Sequence, residues 1–452
     1  MHIVIIGNGI SGITAARFLR KLSSHRITVI SGESEHFFSR TALMYAYMGH
    51  MRFADLKPYE DWFWAQNKIE LKKGWVEKVD FAAQALHFAT GEEMRYDRLI
   101  LATGSKPNKF GWPGQDLEGV GGLYHLQDLE RMEAFSPGLQ RAVVVGGGLI
   151  GVEMAEMFHA RHIPVTFLVR EDSYWDAVLP AEESAMVSRH MREHGIDLRL
   201  GTELKEIIDD GQGRAGGVVT SDGEQIPCGF VGLTAGVHPN IGFLSGTPLE
   251  TGRGILVDEH LQTNISGVFA IGDCAELRRP RPGRRAVEAV WYTGRMMGET
   301  AAYNICGQRV PYDPGIWFNS AKFMDIEYQV YGDVSGRPPE GHASVYWEHP
   351  DGRRSIRIVY SRESKQVLGF NLMGIRYRHE VCERWLSEGA HIETVLANLS
   401  AANFDPEFFA AFEQEVVAVY NLYEGRKVRL KGRRGLSSAL RLLRSAVTGK
   451  PL

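Results

Sequence analysis

The stretch His2–Ser31, HIVIIGNGISGITAARFLRKLSSHRITVIS, decides how this chain folds. An apolar run, Ile3–Ile6, enters Gly7-x-Gly9-x-x-Gly12. An alanine-containing helical pattern follows, then a second apolar run, Ile27–Ile30. Glycine at 7 permits the tight turn, glycine at 9 lets the backbone approach a pyrophosphate, and glycine at 12 lets the helix pack close to the strand. Ile10 and Ser11 open the helix, whose first-turn amides and partial positive charge suit phosphate. Three glycines alone are a weak signal, but framed by strand, helix and strand they specify a dinucleotide-binding unit. An acid is expected at the end of the second strand to accept ribose hydroxyls. Ser31 holds that slot and Glu33 follows two residues later, so Glu33 is the candidate.

The pattern returns at 141–171, RAVVVGGGLIGVEMAEMFHARHIPVTFLVRE. Strand Ala142–Val145 enters Gly146-x-Gly148-x-x-Gly151, Leu149 and Ile150 open the helix, and Val165–Val169 is the next strand. Two fingerprints imply two dinucleotides. Here the acidic slot holds Val169, followed by Arg170 and Glu171. Arg170 suits a 2′-phosphate, whereas Glu171 suits free ribose hydroxyls from a shifted position, which leaves NADH and NADPH both open. Two further strands, Arg98–Leu101 and Val268–Ile271, run into Ala102-Thr103-Gly104 and Gly272-Asp273. Small residues at strand ends let a cofactor lie against backbone, and Asp273 is placed to accept hydrogen bonds from a polyol chain.

GNGISG, ATGSKP, GGGLIGVE, LTAGVHPN and FAIGDCAE, in this order, resemble the FAD/NAD(P)-dependent pyridine nucleotide–disulfide oxidoreductase superfamily over roughly residues 1–310. The resemblance implies an α/β fold with two Rossmann-like three-layer dinucleotide-binding domains, the second inserted in the first, and a C-terminal α+β interface domain. The expected boundaries are 1–112 with 243–313 for FAD, 113–242 for NAD(P)H and 314–432 for the interface domain. The resemblance further implies that the first fingerprint binds FAD and the second NAD(P)H. Asp273 would meet the ribityl–phosphate region, Glu153 would lie near the nicotinamide, and Ala102–Gly104 and Thr234–Gly236 would mark the two crossings between domains.

FFSRTALMYAYMG, Phe37–Gly49, sets this chain apart. The superfamily's disulfide reductases carry CxxxxC here, and its coenzyme A disulfide reductases and NADH peroxidases keep one cysteine near what is Ala42 in this chain. No thiol is available in this segment, which disfavours disulfide, peroxide or sulfide chemistry. The segment is similar to the SRxxL region of rubredoxin, ferredoxin and putidaredoxin reductases and of nitrite reductase flavoprotein domains. That similarity places Arg40 near the flavin or its pyrophosphate, the alternative being a surface salt bridge. Those families often carry a lysine a few residues on, where this chain has Met44-Tyr45.

The chain has 452 residues, 44% apolar and 23% charged, enough for two or three domains of a globular protein. No apolar run is long enough to span a bilayer, and the N-terminus lacks the pattern of a signal peptide. The expected location is therefore cytoplasmic. Cys228, Cys274, Cys306 and Cys382 are far apart and are expected to be buried free thiols rather than a dithiol or metal site. His190 and His194 share a helix face with no third ligand at useful spacing, so a solvated helix surface and no metal are expected. From Pro314 the pattern becomes strand-rich, then helical at Arg376–Ser387 and Pro406–Tyr423, and a homodimer is expected by analogy with the superfamily. Glu288–Arg295 follows the GDC motif where type II NADH dehydrogenases place a quinone-site helix, although their glutamine pattern is absent. Trp291 and Tyr292 there would either shape an acceptor surface or pack between domains.

Residues 425–452 carry nine Lys/Arg and no Asp/Glu, against an acidic remainder. Leu436, Leu440, Leu443 and Val447 share one helical face, so 433–452 reads as a basic amphipathic tail. It suits an anionic membrane surface or an acidic partner, and nucleic acid is not expected. The expected function is hydride transfer from NAD(P)H to FAD and onward electron transfer to a small iron–sulfur protein. A membrane-surface NAD(P)H:quinone oxidoreductase is the first alternative, and a slow NAD(P)H-sensing flavoprotein that binds rather than catalyses is the second.

Overall fold

The computed structural model describes residues 1–405 and 410–431. The expected tail, 433–452, and the start of the expected helix at Pro406 lie outside the described residues. Two compact units emerge: Met1–Tyr174 with Met191–Gly315, and Trp175–His190 with the chain from Ile316 onward.

The first unit contains two parallel five-stranded sheets. The first runs Val268–Ala270, Arg98–Leu101, His2–Ile6, Arg26–Ser31, Ile69–Lys73. The second runs Asp197–Arg199, Val165–Leu168, Ala142–Val145, Phe230–Leu233, Val120–Gly121. The central strands of both are buried almost throughout, the signature of parallel strands covered on both faces. The two glycine-led helices are Ile10–Leu22 and Leu149–Ala160. Helix Trp291–Ile305 packs against the first of them through Gly294 and Gly298. A Cβ at Gly298 would stand 2.4 Å from the Ser11 carbonyl oxygen, so only glycine permits this approach.

The two predicted crossings lie side by side. Ser105–Pro107 pairs antiparallel with Val237–Pro239, and the Asn108 amide donates to the Gly236 carbonyl at 3.0 Å. Gly236 has φ +86°, which a side chain would strain. This paired joint carries the chain between the two parallel sheets.

The second unit is built on a five-stranded antiparallel sheet ordered Phe318–Phe323, Ile326–Gly332, Val367–Met373, Ser355–Ser361, His342–Glu348. Helices His379–Ser387, Ile392–Ala397 and Glu413–Glu424 accompany it. Glu183, fully buried, accepts hydrogen bonds from Arg357 and Asn371. The expectation of a solvated His190 is corrected here. The ring is 1% exposed and its Nε2 meets the Asp325 carboxylate, because the turn between two strands of this sheet covers that helix face. Helical periodicity shows which residues share a face but not what lies over it.

Candidate active site

A cleft of about 680 Å³ opens in the first unit at the C-terminal ends of the first sheet's strands. Parallel α/β sheets place ligands there because helix N-termini and strand-end loops converge. Gly7, Gly9, Ile10 and Ser11 line one side. Gly7 has φ +116°, and an added Cβ would stand 2.0 Å from the Ala102 carbonyl oxygen, so this turn tolerates no side chain. A Cβ at Gly9 would meet nothing within 4 Å, which is open space directly before the helix. Among the described residues no side chain caps that helix, so its first-turn amides face the cleft without competition. Gly12 does not line the cleft. Its role is packing, since a Cβ would stand 2.0 Å from the Gly7 carbonyl oxygen.

Glu33 and Arg40 sit together in the wall. Arg40 grips the Glu33 carboxylate with two nitrogens, at 2.9 and 2.6 Å, and also donates to the Tyr124 carbonyl. The Leu126 amide gives Glu33 a further bond at 2.8 Å. The guanidinium lies 4.8 Å from the centre of the Tyr124 ring. Burial alone would raise the Glu33 pKa, but the His125 ring, Arg40 and the Leu126 amide outweigh it and hold the carboxyl at about 2. Arg40 is therefore not an isolated surface ion pair. It is part of a knot that fixes the loop after the second strand against the segment leading to helix Leu126–Phe135. The Trp75 indole lies over Gly32 at the same end of the cleft and is 56% exposed.

Asp273 marks the middle. Its carboxylate accepts from the Tyr124 hydroxyl at 3.0 Å and from the Ser105 hydroxyl at 3.3 Å. Burial pushes its pKa up against the pull of the Tyr124 bond and the Arg40 charge. Gly272 precedes it at φ +72°, and a Cβ there would strike the Ser11 hydroxyl at 2.3 Å. Ala102, Thr103 and Gly104 form the floor. The Thr103 hydroxyl donates to the Asn240 carbonyl, which fastens the floor to the second crossing.

At the far side stand Ile150 and Glu153, from the second glycine-led helix. Burial, followed by the charge of Glu156, raises the Glu153 carboxyl to about 7. The rest of the second fingerprint lies outside the cleft lining. Gly146, at φ +118°, approaches the Thr234 and Ala235 backbone, and Gly151 approaches the Gly146 carbonyl. Gly148 faces open space and Leu149 begins the helix. Arg170 is exposed and bound to its neighbour Glu171 at 2.7 Å.

The segment that lacks a cysteine forms part of the wall. Phe37, Phe38, Arg40, Thr41, Leu43 and Met44 all line the cleft, the last four from a 3-10 turn that continues into helix Leu43–Tyr47. Among the described residues no cysteine lines it. Cys274 follows Asp273 but is fully buried, with its thiol against the Leu101 and Ile271 carbonyls and its pKa raised by burial. Tyr124, His125 and Trp75 escaped the sequence analysis. They come from loops without periodicity or motif, so no local signal marks them.

Two dinucleotide turns, with one cleft joining the first turn to the helix of the second, define a flavin- and nicotinamide-dependent oxidoreductase. The comparisons carry this further. The model of the pyridine nucleotide-disulphide oxidoreductase family matches residues 1–298, and the chain belongs to that family. It is an FAD-dependent NAD(P)H oxidoreductase. The chain is 34% identical over 371 residues to the 5,5'-dehydrodivanillate O-demethylase ferredoxin reductase subunit of Sphingobium sp., covering 80% of this chain and 88% of the relative. It is 29% identical to the ferredoxin–NAD(+) reductase component of the p-cumate 2,3-dioxygenase system of Pseudomonas putida, over 86% of this chain and 94% of that one. A solved ferredoxin reductase from Rhodopseudomonas palustris superposes with a TM-score of 0.76 at 26% identity, over 82% of this chain and 91% of that one. Among the described residues no helix is long and apolar enough to cross a membrane.

Proposed function

We propose that this protein oxidises NAD(P)H and delivers the electrons singly to a small iron–sulfur protein, with no cysteine relay. The observation that carries this reading is the cleft wall at Ser39–Met44, where arginine, threonine and apolar side chains stand in place of a thiol. The ferredoxin reductases among its relatives support the choice of carrier. The balance is one NAD(P)H and two oxidised carriers giving NAD(P)⁺, one proton and two reduced carriers.

When bound, the nicotinamide supplies a hydride and the flavin accepts it and parts with electrons one at a time. The chain's own residues hold and orient. Gly7, Gly9 and the amides at Ile10–Ser11 would take the pyrophosphate, and Glu33 with Trp75 would bound the adenosine end. Asp273 would accept from the polyol chain, and Ala102–Gly104 would bring bare backbone against the ring system. Ile150 and Glu153 would border the nicotinamide, with Gly148 and Leu149 at its phosphates and Arg170 and Glu171 at the adenosine ribose. Asp273 and Glu153 both have raised pKa values, so each retains a proton further up the pH scale than a solvated carboxyl and can donate as well as accept. The paired crossings hold these pieces in register.

Anaerobic stopped-flow on the flavin band tests the reading. NADH or NADPH should reduce the protein quickly, and an acidic [2Fe–2S] ferredoxin should then reoxidise it faster than a short-chain quinone. Rapid reoxidation by quinone alone would favour the quinone enzyme. Tight nucleotide complexes with no reoxidation by either acceptor would favour the sensing flavoprotein.

A further inference from the structure

Between the strand Ala275–Leu277 and the helix Trp291–Ile305 the sequence reads RRPRPGRRAVEAV, 278–290. Five arginines fall within eight residues, with no acid before Glu288. Three of the five are spent inside the first unit. Arg278 pairs with Glu250, Arg281 with Asp313 at 2.8 Å, and Arg284 with the buried Glu288 at 2.6 and 2.7 Å. Arg284 also donates to the Gly315 carbonyl. These contacts fasten the loop. The other two, Arg279 and Arg285, are exposed and form no ion pair among the described residues. Arg295 is likewise exposed and unpaired, one helical turn beyond Trp291 and on the same face. Trp291 lines the cleft and is still 37% exposed.

Together these residues make a positive rim, anchored from below and carrying its spare charge outward, around an aromatic side chain at the cleft mouth. Surface ion pairs add little stability, and three unpaired arginines add none, so stability does not account for them. Tryptophan with arginine is the composition that dominates protein–protein binding energy. Charge complementarity selects an acidic partner and speeds its encounter.

We infer that Arg279, Arg285 and Arg295 around Trp291 form the docking surface for an acidic electron-carrier protein, which thereby receives electrons at the Trp291 end of the cleft. This rests on the proposed iron–sulfur reading. An anionic membrane is the weaker fit, because a lipid surface would not require the arginines to surround the one exposed tryptophan of the cleft.

The test uses the full-length holoenzyme and its triple variant Arg279→Glu/Arg285→Glu/Arg295→Glu, with an acidic [2Fe–2S] ferredoxin as probe. The variant should raise the KM for the ferredoxin about tenfold or more and flatten its salt dependence. Flavin reduction by NAD(P)H and reoxidation by an uncharged quinone should be unchanged. If the triple variant folds poorly, Arg285→Glu alone should raise the KM and reduce the salt slope. Equal KM and salt slope in wild type and variant, with ferredoxin still reduced, would overturn the surface and leave the carrier reading intact. If wild type reduces no acidic ferredoxin and the variant instead loses binding to phosphatidylserine vesicles, both the surface and the carrier reading fall.

Discussion

The first unit contains the same strand–glycine turn–helix twice, and the two copies treat charge in opposite ways. After the second strand of the first copy, Glu33 is sunk into the wall and clamped by Arg40 and the Leu126 amide. After the second strand of the second copy, Arg170 and Glu171 hold only each other at the surface. The second copy keeps its perturbed acid elsewhere, at Glu153 inside the cleft. One copy is thus built as a fixed socket and the other as a more open rest. That division suits a cofactor that stays bound and a nucleotide that comes and goes.

The comparison breaks most visibly at the turns themselves. Gly7→Ala drives a methyl into the Ala102 carbonyl at a positive φ, so it should cost roughly 4 kcal/mol or more and yield protein without flavin. Gly146→Ala meets backbone atoms at 2.7 Å, a milder clash, and should cost roughly 2 kcal/mol. Thermal unfolding of the two holoproteins, with flavin content, checks the order. If Gly146→Ala is the more damaging, the fixed-socket assignment is reversed.

The clamp provides the next test. Glu33→Gln leaves the Arg40 guanidinium without its counter-charge and should cost roughly 1–2 kcal/mol, reduced by the partial exposure of Arg40. The folded pKa of about 2 lies below the model value of 4.5. The wild-type advantage is therefore full above about pH 4.5 and is lost as pH falls toward 2. Acid unfolding curves of wild type and variant should converge in that window.

Glu153 has the opposite sign. Its folded pKa of about 7 exceeds 4.5, so the fold favours the protonated acid and this group costs stability as pH rises from about 4.5 to 7. Glu153→Gln should remove that slope. It should also remove an inflection near pH 7 from the rate of flavin reduction by NAD(P)H, with flavin content unchanged. A persistent inflection would place the titrating group elsewhere.

Much of this was legible in the sequence, because each glycine turn is local and its flanking strands are continuous apolar runs. Glu33, Arg40, Asp273 and Glu153 could all be singled out by position. Their relations could not. The Glu33–Arg40 clamp closes across a loop, and Tyr124, which touches both Arg40 and Asp273, arrives from a segment with no pattern of its own. His190 was misread because the strand turn that buries it lies 135 residues away in sequence.

The central claim is that electrons pass through the flavin without a thiol relay. The most direct measurement is an anaerobic dithionite titration of the FAD-loaded protein, followed at the flavin absorbance. Complete bleaching after two electrons per flavin, with no further uptake, is the predicted result. Uptake of four electrons per flavin would reveal a redox-active disulfide and contradict it.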